Sequence, residues 1–136
     1  MVAYSFQKQF VEPILVGLGA APAFNVTLKR HTIRADRKRH ARPGEEIQLY
    51  RGMRTKSCFL IGRARCTAIH RIELVFRGKR RGVWIDGTRT AATPAARDEF
   101  ARRDGFENWV GLAAFWEENH GDPPSWDGVI IHWESL

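Results

Sequence analysis

The sequence predicts an α+β fold, a small curved sheet or β-barrel flanked by helices. Three observations predict it: a length of 136 residues, which suits one domain spanning 1–136; several short apolar runs separated by Gly and Pro; and one paired-helix pattern near the C-terminal end. Apolar residues make up 43% and charged residues 27%, which excludes a disordered or collagen-like chain.

In chain order, Tyr4–Gln7 starts a strand, with Phe6 and Phe10 available to a core. Phe10, Ile14 and Leu15 fit one face of a short helix with Pro13 in its first turn. Leu18–Ala23, LGAAPA, reads as a loop or insertion. Pro43-Gly44 marks a turn, and Ile47, Leu49 and Met53 suggest a strand broken at Arg51-Gly52. Ser57–Leu74 supplies a long strand or a bent pair, and Val83–Ile85 and Val129–Trp133 are further strands. Thr93 can cap a helix that has Pro94 at its first position and runs to Arg103, with Gly105 as a left-handed stop. A second helix runs from about Asn108 to His120, with Trp109, Leu112, Ala113 and Trp116 at helical spacing and Gly121 ending it.

Charge is unevenly distributed. Residues 1–81 hold 18 Lys/Arg against 5 Asp/Glu, a net +13, whereas residues 82–136 hold 4 against 10, a net −6. Such asymmetry suits an anionic partner on one face, or two halves that neutralise each other on folding. The densest segment is Lys29–Arg42, KRHTIRADRKRHAR. Within it Arg37, Lys38, Arg39 and Arg42 are candidate contacts to nucleic-acid phosphates, against the alternative of a solvated basic loop. The basic turn Gly78–Gly82 suits a surface loop better than a phosphate cradle.

No apolar run reaches the ~18 residues of a membrane span and no signal-peptide pattern opens the chain, so a cytoplasmic protein with no membrane partner is expected. Cys58 and Cys66 have no metal-ligand spacing and are expected as free thiols, though one disulfide is possible. The histidines form no ligand cluster by spacing, so no metal and no cofactor are expected. Nucleophile-elbow, Walker, zinc-protease and dinucleotide motifs are absent.

Phe6-Gln7, Phe10, Ile14-Leu15, Lys29-x-x-Thr32-Ile33-Arg34, Pro43-Gly44 and Tyr50 follow one another in an order that resembles the ASCH domain family. That family has a PUA-like fold and the signature G-x-K-x-x-T-x-R. The resemblance continues through Ile61-Gly62-Arg63-Ala64, Cys66-Thr67-Ala68, Phe100-Ala101 and Asp104-Gly105-Phe106 to the strand Val129–Trp133, so it covers nearly the whole chain. The family is RNA-related, and its small bacterial members include acetylcytidine amidohydrolases. The resemblance implies Lys29 as proton acceptor, Thr32 as nucleophile and Asp104 as proton donor, with Arg34, Arg30 and His31 as substrate-binding residues and RNA or a modified nucleoside as partner. Two positions depart from the pattern. The motif glycine is either replaced by Thr27 or is Gly17 followed by about ten inserted residues, and Asp104 stands where those amidohydrolases carry Glu.

The implied chemistry sets requirements. A Thr hydroxyl needs a base within hydrogen-bond reach, and a Lys with an unperturbed pKa of ~10.4 must be lowered to serve. Asp104 as a proton donor needs the opposite shift, which a cationic neighbourhood opposes; ionised Asp104 would instead orient Lys29 or the substrate amine. Lys29 and Thr32 are three apart, so sharing a pocket requires a turn at Arg30-His31, with a strand only from about Thr32. Three functions fit these residues: an amidohydrolase on an acylated nucleoside, a non-catalytic RNA-binding module and, more weakly, a ribonuclease.

Overall fold

The computed structural model describes residues 2–22 and 27–136. Among the described residues, seven strands form one mixed sheet that does not close into a barrel, with three α-helices beside it. In chain order they are β1 (Val2–Phe6), α1 (Val11–Gly17), β2 (His31–Arg34), β3 (Glu46–Arg51), β4 (Phe59–Val75), β5 (Gly82–Ile85), β6 (Thr88–Ala91), α2 (Pro94–Arg103), α3 (Trp109–His120) and β7 (Ser125–Ser135).

The 17-residue β4 organises the sheet. It pairs antiparallel with β3, β5 and β7, so the expected run becomes one strand, Phe59–Val75, and not a bent pair, with Ser57 and Cys58 before it. A register shift between Cys66 and Ala68 breaks its ladder with β7 once. β1 lies parallel to β3, and β2 lies antiparallel to β7. The path β1-β3-β4-β7-β2 therefore ends on β1 and β2, which share no ladder among the described residues. This open seam is why the sheet is not a barrel.

Alternating burial in β1 and β3, and a continuous buried run in β7, build the core. Val2, Tyr4 and Phe6 of β1 are buried, as are Ile47 and Leu49 of β3, and Val129, Ile130, Ile131 and Trp133 of β7. β3 stops at Arg51, before Met53, because Gly52 turns at φ +54° and Met53 is exposed. β6 is a strand that apolar patterning does not mark, since only Ala91 of its four residues is buried; Asp86 and Gly87, both at positive φ, make the tight turn that returns it to β5. Both cysteines are free, Cys66 buried and Cys58 exposed.

The helix signals match the structure closely. Thr93 accepts a hydrogen bond from Ala96 N at the start of α2, and Asn108 accepts from Gly111 N at the start of α3. Gly121 ends α3 in the left-handed conformation. Residues 18–22 follow α1 without helix or strand, as a loop there requires; Ala23, the end of that expected loop, lies outside the described residues. Among the described residues, no helix is long and apolar enough to cross a membrane.

Candidate functional site at the open seam

A cavity of about 310 Å³ occupies the seam between β1 and β2. Lys29, Thr32 and Arg34 enter it from the β2 side and Asp104 from the end of α2. Aromatic side chains form much of its wall. Phe10 packs edge-on against Phe106 and Phe115, and Trp116 packs against Trp126 and His120.

Lys29 precedes β2 and makes a single bridge to Asp104. Its backbone N–H donates to Pro13 O in α1, which draws it off the strand. The regular strand begins at His31, one residue earlier than the spacing argument required, because His31 pairs in register with His132 of β7. The irregularity lies at Lys29-Arg30 instead. It still brings Lys29 and Thr32 to the same cavity.

Gly17, one of the two candidates for the motif glycine, packs directly on the Lys29 backbone. A Cβ on it would lie 2.2 Å from Lys29 O, so α1 and the Lys29 backbone meet where only glycine fits. Arg30 Nε also donates to Gly17 O. Gly17 thus stands against Lys29 in space.

The centre of the site is an ion pair. Lys29 Nζ donates to Asp104 Oδ1 at 2.6 Å and to Asp104 O at 2.8 Å, with both side chains buried. The ammonium also lies 4.9 Å from the centroid of the Phe10 ring. Burial pushes the Lys29 amine below its ordinary pKa; Asp104 opposes this, and the Arg34 charge adds to it. Burial pulls the Asp104 carboxyl up, but the Lys29 charge and the His31 contact outweigh it and hold the group below its usual range. Asp104 is thus held towards its ionised form, in which it accepts from Lys29. Its geometry is that of a group orienting Lys29.

Arg34 organises the rest. Its Nε donates to Thr32 Oγ1 at 3.0 Å, and its Nη2 donates to Ser5 O at 2.7 Å on β1. One guanidinium thus spans the seam and holds the candidate nucleophile. Burial lowers its pKa to about 10, which leaves it charged at neutral pH.

Arg30 and His31 are not part of this cavity. They line a separate groove of about 990 Å³ beside α2, with His70, His132 and Phe100. His31 is buried, however, and touches Asp104 from the far side. Arg37, Lys38, Arg39 and Arg42 are exposed in the loop after β2. Arg39 pairs with Glu45, and Arg37 lies over the Tyr4 ring at 5.1 Å. This loop begins at Ala35, which lines the cavity. Gln7, Trp116, Asn119, His120 and Trp126 also line the cavity, and residue spacing did not single them out as a group. Gln7 donates to Asn119 across 112 residues of chain, a proximity that no local pattern encodes. Among the described residues, no group of three His, Cys, Asp or Glu side chains is placed to hold a metal ion.

No protein-family model, curated protein or solved structure matches this chain.

Proposed function

We propose that this protein is an ASCH-type, PUA-like domain whose seam cavity hydrolyses an acyl group from the exocyclic amine of a cytidine-like nucleoside, free or in RNA. One observation carries the proposal: Lys29, Thr32, Arg34 and Asp104 converge on a single aromatic-walled cavity. Its volume is at the small end of the range for small-molecule sites. The aromatic wall offers stacking surface to a base, and Gln7 and Asn119 offer amide donors and acceptors to its edge.

The reaction runs in two balanced steps. Thr32 Oγ attacks the acyl carbonyl and gives its proton to neutral Lys29. The C–N bond breaks, and Lys29 returns that proton to the departing amine. Water then hydrolyses the acyl-Thr ester, releasing the carboxylic acid and restoring the hydroxyl. Arg34 stabilises the developing oxyanion by charge, and ionised Asp104 orients Lys29. The lowered pKa of Lys29 supports a base at this position.

One observation favours a second reading, a non-catalytic RNA-binding module: Lys29 donates to Asp104 and not to Thr32. Incubation with N4-acetylcytidine separates the two. Hydrolysis releases acetate and cytidine. Lys29→Ala lowers turnover by about 10²–10⁴-fold, Thr32→Ala by at least as much, and Thr32→Ser retains part of it. Asp104→Asn leaves a measurable remainder, because Asp104 orients and does not donate. Full activity in Lys29→Ala and Thr32→Ala excludes the mechanism, and RNA binding without acetate release assigns the module.

A further inference from the structure

Asp104 has a second neighbour that this reaction does not use. His31 Nε2 lies 3.3 Å from Asp104 Oδ1, the same oxygen that accepts from Lys29. The ring nitrogen is not aligned for a hydrogen bond, and among the described residues it is buried without a partner. Native structures seldom leave a buried polar atom in that state. The ring is fixed in place: it stacks on Phe100 at 5.4 Å and 23°, and meets His132 edge-on at 5.3 Å. Phe100 and Asp104 stand four residues apart, one in α2 and one at its C-terminal cap, so the same helix end holds the ring and presents the oxygen.

Lys29 has the opposite problem. It donates twice to Asp104 and so is not directed at Thr32. To act as a base it must leave the carboxylate, and that alone would strand a buried anion. We infer that His31 is a positioning residue, the stand-in donor that closes on Asp104 when Lys29 turns to Thr32. The neutral Lys29 amine moves to the hydroxyl, its proton having left to solvent through the open cavity, and the His31 N–H takes its place on Asp104 Oδ1. The carboxylate keeps a donor throughout. By stabilising the carboxylate that deprotonated Lys29 leaves behind, the ring lowers the affinity of Lys29 for its proton.

The charges around the ring define the background against which this is measured. Arg30 and the α2 pair Arg102 and Arg103 line the groove on its open side, with Glu99 bridging the two α2 guanidiniums. His132 separates it from His70, which Asp86 holds at 2.7 Å. None of these reaches Asp104 Oδ1 within ion-pair distance as Lys29 and His31 do.

The inference rests on Lys29 as base, and its test is built to fail separately from the hydrolysis itself. His31→Phe keeps the stacking on Phe100 and removes both nitrogens, whereas His31→Gln restores an N–H near the position of Nε2. In protein labelled at the Lys ε-carbon, the Lys29 signal is assigned by its loss in Lys29→Met, and its titration is followed by NMR. His31→Phe raises the Lys29 midpoint by about one pH unit, a ~10-fold change in proton affinity. It lowers kcat at neutral pH by a similar factor with KM unchanged, and moves the acid limb of the kcat profile upward. His31→Gln returns both towards the wild-type values. An unchanged Lys29 midpoint in folded His31→Phe overturns the inference, as does a folded His31→Gln as impaired as His31→Phe. If His31→Phe does not fold, His31→Leu serves the same comparison. If the wild-type protein releases no acetate, hydrolysis fails as the function, and the NMR midpoints alone decide whether His31 governs Lys29.

Discussion

Gly17 lies so close to Lys29 that an added Cβ would sit 2.2 Å from the Lys29 carbonyl oxygen and 2.9 Å from its carbonyl carbon. The contact is backbone to backbone, so no side-chain rotation relieves it. Gly17→Ala must therefore push α1 from the Lys29 segment, with a destabilisation of about 1–3 kcal/mol by overpacking. Denaturant unfolding measures the loss. The accompanying displacement of Lys29 lowers activity beyond what the remaining folded fraction explains.

The Lys29–Asp104 pair predicts a non-additive pair of substitutions. Lys29→Met leaves a buried carboxylate with its main partner gone, and breaking a buried pair in this way costs about 3–5 kcal/mol. Changing Asp104→Leu in the same protein removes the stranded charge and recovers most of that loss, while activity stays absent. Four unfolding curves, for the wild type, two single variants and the double variant, check this. Equal losses that simply add show the pair to be uncoupled.

Acid sensitivity follows from the histidines first and from Asp104 second. Burial, with His31 and His70 beside it, pushes His132 down to about 4. Between about pH 6.5 and 4 the unfolded chain binds a proton there and the folded chain does not, so stability is full above that window and falls as pH drops through it. Burial lowers His40 and His120 as well, and both act in the same direction. Asp104, held below its usual value, contributes stability that is present above ~3.9 and lost as pH falls through its folded value. His132→Phe reduces the first stage to the contribution of His40 and His120 and leaves the second. Denaturation midpoints taken from pH 8 to 3 read both.

The basic loop after β2 predicts a salt-dependent contact with single-stranded RNA. Each phosphate contact contributes about 0.7 to the slope of log K against log salt. Replacing Arg37, Lys38 and Arg39 together by Ala weakens binding and flattens that slope. Lys38→Ala alone has a larger share than Arg39→Ala, because Arg39 is already paired with Glu45. Filter-binding or anisotropy titrations at several salt concentrations measure the slopes. Identical slopes for wild type and triple variant place RNA elsewhere or nowhere.

Local chemistry made much of this protein legible from its sequence. Thr93-Pro94 and Asn108 cap helices by bonds to residues three positions away, and Gly105 and Gly121 stop them by a backbone angle of their own. Such signals span one turn of chain, so no tertiary context is needed to read them. The family resemblance, not local chemistry, singled out Lys29, Thr32, Arg34 and Asp104, which meet in one cavity. Tertiary structure alone decided their states and neighbours. Asp104 lies 75 residues from Lys29, and only its burial against that ammonium holds its carboxyl below the usual range. His31 and Arg30, next to Lys29 in sequence, turn to a different groove because His31 enters the ladder with β7. The open seam, the role of Gly17 and the aromatic wall from α3 come from contacts between distant segments. Those contacts depend on which surfaces exclude water together, and no local spacing carries that information.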